Sequence, residues 1–177
     1  MRIIAGRLKG RRLTAPRGDL VRPTSDSLRE TLFNVVGDFG EGARVLDAFA
    51  GTGALGLEAY SRGASVVTFI DRDERALRAL RANIDACGVA DACVIIRGDF
   101  MTVRDDLTRF DLVLLDPPYQ MENLDVVVGR GAGLLTPAGH LVLEHSRRRN
   151  SPERVTGAFR YRVLTAGDSA LSFYAPA

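Results

Sequence analysis

Residues 45–59, "VLDAFAGTGALGLEA", decide the fold. Val45 and Leu46 sit in an apolar, strand-like run, and Gly51, Gly53 and Gly56 follow it in a G-x-G-x-x-G spacing that opens onto helix-forming residues. Glycine lets the chain turn tightly and lets a ligand approach the backbone, where amides at a helix N-terminus can meet it. Asp71 stands twenty residues beyond Gly51, at the end of the next apolar run, where a carboxylate can accept both hydroxyls of a ribose. Strand, turn, helix and distant acid agree on a nucleoside-containing ligand. Taken alone, the glycines serve a tight strand-to-helix turn equally well.

Outward from this unit the sequence alternates. "RVLDAF" from Arg44 reads as a strand, Ala54 to Ser61 as a helix, "SVVTFID" as a strand and Glu74 to Ala86 as a helix. Strand "ACVIIRG", a short helix around Thr102 to Leu107, strand "DLVLLD", a helix around Asn123 to Gly129 and strand "GHLVLEH" follow. Such alternation predicts a parallel sheet covered by helices on both faces, with right-handed crossovers. "FRYRVLTAG" and "DSALSFYAP", separated by "GDS", predict an antiparallel hairpin closing the sheet edge. The expected fold class is therefore α/β and Rossmann-like: a mostly parallel sheet, a C-terminal antiparallel hairpin and a small N-terminal β-hairpin arm.

Before the first core strand, "SDSLRETLFNVVGDF" carries Leu28, Leu32, Val35 and Val36 at helical spacing, with Ser27 and Glu30 in a capping-box relation and Gly37 near the stop. "RIIAGRLKGRRLTAP" reads as short β segments broken by Gly6 and Gly10, a hairpin-like arm outside the main core. The division expected is an arm at 1–23 and one domain at 24–177.

A dinucleotide such as NAD competes for the glycine turn. The chain of 177 residues is short for a second mononucleotide half plus a substrate domain, and Asp47 stands just before the turn. A carboxylate there opposes an anionic pyrophosphate but can hold a cationic amino group, such as that on the methionine part of S-adenosylmethionine. In "RGDF", Asp99 is placed to accept from an adenine amino group and Phe100 to lie on the ring; a surface acid beside a core aromatic would read the same way.

The second telling stretch is "LVLLDPPYQ", Leu112 to Gln120. Pro117 and Pro118 fix φ and supply no N–H, so they stiffen the loop leaving the strand. In an open α/β sheet that loop lies beside the glycine turn, outside the carboxyl ends of the strands. An amine conjugated to a ring or carbonyl is a poor nucleophile because its lone pair is delocalised. The Asp116 carboxylate and the Pro117 carbonyl can orient its two N–H bonds and offset the charge that develops on nitrogen, while Tyr119 offers a face for a planar base. The same four residues also suit a simple strand-ending turn.

Hydrophobic residues make up 46% and charged residues 26% of the chain, as in a soluble globular protein, and no apolar run approaches the roughly 20 residues of a membrane span. "MRIIAGRLKG" lacks the apolar core of a secretory signal, so a cytoplasmic protein is expected. Cys87 and Cys93 are too few for a disulfide framework, and with His140 and His145 they form no metal-ligand spacing. No metal is expected. Residues 1–23 hold seven basic residues against Asp19 alone, a charge of +6, and the chain's net +2 leaves −4 for the other 154 residues. A basic arm on a mildly acidic body suits a polyanion, and Arg7, Lys9, Arg11, Arg12, Arg22 and Arg29 are the expected RNA contacts; a solvated charged hairpin is the plainer reading.

Together "RIIAGRLKGRRL", "RPTSDSLRETLFN", "VLDAFAGTGALGLEA", "FIDRD", "RGDF" and "LLDPPY" span almost the whole chain. They resemble class I S-adenosylmethionine-dependent methyltransferases acting on amino nitrogens, and more closely the bacterial 16S ribosomal RNA guanine-N2 methyltransferases of the D type. The resemblance implies a seven-stranded sheet, a monomer, and transfer of a methyl group from S-adenosylmethionine to guanine N2 in the small ribosomal subunit, in an assembled or partly assembled particle. It implies that Asp47, Gly51 and Gly53 surround the methionine and ribose parts of the cofactor, Asp71 the ribose, and Asp99 with Phe100 the adenine, with Phe49 a further cofactor contact. Asp116, Pro117 and Tyr119 would receive the guanine. Arg22, Thr24, Arg29 and Asn34 fall on the family's N-terminal motif. "HSRRRNSPE" matches nothing in the family; its arginines are either RNA contacts or a solvated loop. The alternatives are an adenine-N6 methyltransferase, for which about 20 residues after Tyr119 leave no target-recognition segment; a release-factor glutamine-N5 methyltransferase, which usually carries Asn where Asp116 stands; and a non-catalytic RNA-binding scaffold.

Overall fold

The computed structural model describes residues 1–15, 25–37, 42–103 and 109–177. Arg22 and Thr24, and most of the short helix expected around Thr102 to Leu107, lie outside the described residues. The core strands are β1 (Arg44–Asp47), β2 (Val66–Asp71), β3 (Cys93–Arg97), β4 (Phe110–Leu115) and β5 (Leu135–Ser146). A C-terminal set follows: β6 (Arg154–Val155), β7 (Ala158–Ala166) and β8 (Ser169–Pro176). The helices are α1 (Asp26–Val36), α2 (Ala54–Ser61), α3 (Glu74–Cys87) and α4 (Leu124–Ala132).

The strands lie in the order β3-β2-β1-β4-β5-β8-β7-β6. The first four pairings are parallel and the last three antiparallel, with β8 inserted between β5 and β7. This is the Rossmann-like α/β sheet that the alternation predicts. Over the described residues it has one strand more than the expected seven, the two-residue β6 at the outer edge. The β7–β8 hairpin turns through Gly167 and Asp168, and Gly167 takes φ 58°, the left-handed geometry that a two-residue hairpin requires.

Residues of period two divide the core between the faces of the sheet. Val45, Leu112, Leu114 and Val142 pack into one buried cluster with α1, α2 and α3. Leu46, Val113, Leu115, Leu141 and Leu143 pack into the other with α4. β1 turns outward to β2 on one side and lies against β4 on the other. That neighbourhood is the topological switch point, where crevices form in sheets of this kind.

Two expectations about the N-terminal region change. The α1 cap is Ser25, whose hydroxyl accepts the Leu28 N–H at 3.1 Å, so Ser27 lies in the first turn and forms no capping box with Glu30. The arm also belongs to the core. An antiparallel bridge joins Arg2 to Arg12, and Ile3 and Leu13 are buried in the α1–α3 cluster. Its backbone is fastened to α2: the Glu58 carboxylate accepts the Ile4 N–H at 2.8 Å and the Ala5 N–H at 3.0 Å. Ser61 Oγ accepts the Leu8 N–H at 2.9 Å and donates to the Ala5 carbonyl.

Glu58 is completely buried and balanced by two guanidinium groups, Arg62 at 2.8 Å and Arg29 at 3.7 Å. Arg29 is itself 0% exposed, and it donates to the Arg2 carbonyl and to Asp26. Burial lowers the Arg29 pKa, and Glu58 and Asp26 oppose the shift. Removing one member of a buried ion group leaves the other uncompensated. Arg29→Ala is therefore expected to cost about 3 kcal/mol or more, whereas Lys9→Ala on the exposed turn should stay within about 0.5 kcal/mol. Urea unfolding of the two variants measures the contrast, and equal midpoints would show that the Arg29 pairing contributes little.

Candidate active site

The glycine turn is tied down by two strand-end acids. β1 ends at Asp47, which is 1% exposed and accepts the Gly56 N–H at 2.9 Å. Asp71, ending β2, accepts the Gly51 N–H at 2.7 Å through one oxygen and the Asp73 N–H at 2.8 Å through the other. Gly51 has φ 53° and no atom within 4 Å of where a Cβ would stand, so its backbone is open to a ligand. Gly53 takes φ 80° as the cap of α2. Gly56 is needed for packing, since a Cβ there would fall 2.3 Å from the Phe69 ring.

Parallel pairing sets Asp47 beside Leu114, and the Ala48 N–H donates to the Leu114 carbonyl at 3.0 Å. The chain leaving β4 at Asp116 thus emerges next to the glycine turn. Both line one cavity of about 530 Å³, within the usual range for small-molecule sites. Asp47, Phe49, Gly51, Asp71, Asp99, Phe100, Asp116, Pro117 and Tyr119 all border it; Gly53 does not, and acts through the helix cap. Among the described residues, the wall contains six carboxylates, Asp47, Asp71, Asp73, Asp99, Asp116 and Glu144, and one cationic side chain, Arg72. That balance suits a ligand with cationic and hydroxyl groups and disfavours a polyphosphate. The described residues include no group of three or more His, Cys, Asp and Glu arranged to hold a metal, and no helix long and apolar enough to cross a membrane.

The loop after β4 is half wall, half surface: Pro117 is buried and Pro118 exposed. Its turn closes through the Met121 N–H on the Pro118 carbonyl at 2.8 Å. The Tyr119 hydroxyl lies 2.7 Å from Ser169 Oγ, which donates to the buried Glu144 carboxylate at 3.2 Å. Asp99 accepts the Met101 N–H at 2.9 Å and pairs with Arg72 at 3.2 Å. Phe100 is 1% exposed and meets Phe49 edge-on at 5.6 Å, so it is a core ring bordering the cavity, and Phe49 is the more open of the two.

The basic residues separate into two kinds. Arg29 is fully buried beneath the arm and cannot meet RNA, which corrects the expectation for it. Arg7 is held by the protein: it donates to the Tyr60 carbonyl at 3.1 Å and the Ala64 carbonyl at 2.7 Å, and stacks 3.7 Å over the Tyr60 ring. Lys9, Arg11 and Arg12 are exposed, with one long bond from Arg11 to the Ala86 carbonyl at 3.4 Å. Arg22 lies outside the described residues. Sequence reasoning missed Glu144. The signal was available, since an acid stands at or near the carboxyl end of each of the five parallel strands: Asp47, Asp71, Asp99, Asp116 and Glu144.

Residues 1–175 match the family model described as conserved hypothetical protein 95. Over 176 residues the chain is 32% identical to ribosomal RNA small subunit methyltransferase D of Escherichia coli K12, covering 98% of this chain and 89% of that protein. The Haemophilus influenzae protein of the same name is 40% identical over 123 residues, 67% of this chain and 64% of its own length. Among solved structures, a hypothetical protein of Thermus thermophilus superposes with a TM-score of 0.83 at 26% identity, covering 100% of this chain and 99% of that one.

Burial chiefly, with Asp71 nearby, raises the Asp47 pKa from 3.8 to about 7, and the Gly56 amide opposes the rise. The fold accommodates the protonated form, so this group's stabilising contribution is full below 3.8 and is lost as pH climbs through about 7. Asp47→Asn, which keeps an acceptor for Gly56, should be near neutral at pH 4 and stabilising at pH 8. The gap in unfolding free energy should open by a few kcal/mol, at about 1.4 kcal/mol per unit. A gap that does not change with pH would show that Asp47 ionises as readily as it does in water.

Proposed function

The chain belongs to the family described as conserved hypothetical protein 95, and on that premise we propose that it is a methyltransferase of small-subunit ribosomal RNA, acting on guanine N2 with S-adenosylmethionine as donor. One observation carries the reading: the acid-diproline loop and the glycine turn border a single cavity whose wall is rich in carboxylates.

These residues fit the cofactor. Asp47 suits an ammonium group, the open Gly51 backbone admits close approach, Asp71 keeps lone pairs for ribose hydroxyls beyond its two amide bonds, and Phe49 lies toward the adenine end with Asp99. When bound, S-adenosylmethionine supplies a methyl group activated by its sulfonium sulfur. The Asp116 carboxylate and the Pro117 carbonyl accept the two hydrogens of the guanine amine and so aim its nitrogen at the cavity. As charge develops on that nitrogen, Asp116 offsets it. The Tyr119 ring, fixed through its hydroxyl on Ser169, stacks on the base. The proton is lost after transfer, when the nitrogen has become acidic, so no strong base is needed.

The target base has to be exposed, which favours an assembled or partly assembled small subunit over naked RNA. Residues 24–177 form the catalytic unit in this reading, and the arm at 1–23 supplies Lys9, Arg11, Arg12 and Arg22 to phosphates.

Incubation with labelled methyl donor and, side by side, small subunits, naked ribosomal RNA, DNA and release factor tests the substrate. Digestion should return N2-methylguanine from the subunits; N6-methyladenine or methylglutamine would replace this assignment. Asp116→Ala should bind the donor normally yet transfer about a hundredfold more slowly or worse. Replacing Lys9, Arg11 and Arg12 with alanine should weaken binding to subunits and flatten its salt dependence by roughly 0.7–0.9 in log–log slope per lost phosphate contact. An unaltered slope would remove the arm from RNA binding.

A further inference from the structure

The loop after β5 reads "SRRRN", Ser146 to Asn150, and its three arginines are not alike. Arg147 and Arg148 are exposed; Arg149 is half-buried and turned inward. Its Nη1 donates to the Tyr119 carbonyl at 3.1 Å and to the Met121 carbonyl, and its Nη2 donates to the Glu122 carbonyl at 2.9 Å. One guanidinium thus gathers three carbonyls from four consecutive residues directly after the acid-diproline pair. Those residues belong to no helix or strand, and α4 begins beyond them with no side-chain cap from Asn123. β4 fixes the entrance of the loop, Ser169 fixes the Tyr119 hydroxyl and the Met121 N–H closes the turn on Pro118, and Arg149 ties down the path of the backbone out of the site. Arg149 is held in its turn, its N–H on the Ser146 carbonyl at 3.0 Å, next to the Arg147 N–H on the Asp168 carbonyl at 2.8 Å.

We propose that Arg149 is a positioning residue for methyl transfer: it locks the 119–122 backbone and thereby fixes Asp116, Pro117 and Tyr119 against the cavity. This rests on the reading of that loop as the one that receives the acceptor amine. Arg149 does not touch the reacting atoms in this account. A planar fork of donors suits three carbonyls at once, whereas an ammonium is a single point donor on a flexible stem.

The test compares Arg149→Ala and Arg149→Lys with Arg148→Ala, an exposed neighbour. Small subunits serve as substrate in the transfer assay, and amide hydrogen exchange is measured on each free protein. Both Arg149 variants should lose kcat, Arg149→Ala by up to about a hundredfold, as small misplacements of a reacting group do. The donor KM should hold for all three proteins, and Arg148→Ala should turn over normally. Exchange should rise in the 119–124 segment of the Arg149 variants and nowhere in β1 to β5, and added guanidinium ion should restore part of the Arg149→Ala rate. Unchanged kcat, unchanged exchange, or a loss confined to the KM for subunits and shared with Arg148→Ala would overturn the proposal, the last by making Arg149 an RNA contact. A wild-type protein that transfers no methyl group to any substrate would defeat the functional reading instead, and unaltered loop exchange in the Arg149 variants would defeat the clamp separately.

Discussion

Everything in the site depends on the parallel pairing of β1 with β4. Asp47 lies opposite Leu114, so two loops separated by more than sixty residues of sequence leave the sheet side by side. β2 and β3 extend the sheet from β1, and β5 extends it from β4, so the strand order reverses at this one junction. A crevice at such a junction follows from topology, because the connecting segments diverge to opposite sides. The side chains then determine what that crevice can hold.

Its acidic character has a cost. Asp47 is buried with Asp71 nearby, and its carboxyl is pushed toward neutrality. A protein selected for stability alone would place an amide or an apolar group there. Strand-end carboxylates that double as turn anchors explain how so much charge is tolerated, since Asp47 and Asp71 hold the glycine turn by its own amides while remaining on the cavity wall. The same economy recurs at Glu58, where a buried acid is offset by two arginines and by the backbone of another segment.

What was legible in the sequence was local. The glycine turn, the acid-diproline loop and the alternating elements each declare themselves within a few residues, and α2 falls at Ala54–Ser61 as the pattern predicts. What was not legible depends on where a long side chain ends. Arg7, Arg29 and Arg149 look like free basic residues in a string of letters, yet each guanidinium folds back onto carbonyls or acids of the protein. Nothing within the arm indicates that Glu58, more than fifty residues away, would receive its amides. Phe100 shows the same limit, because a ring beside a cavity and a ring within a core have identical neighbours in sequence. The α1 cap was displaced by two residues because Ser25 and Ser27 carry the same hydroxyl, and only the backbone path selects between them.

The fastening of the arm also bears on how the chain is made. Ile4 and Ala5 are made before their acceptor Glu58, 54 residues beyond Ile4, and the counter-charge on Arg62 arrives later still. Until that part of the chain is present, the Ile4 and Ala5 N–H groups lack the carboxylate that receives them in the folded protein. Closing a loop of this size carries an entropic penalty that the α2 hydrogen bonds and the burial of Ile3 and Leu13 offset together. Docking of the arm therefore requires α2 to be in place.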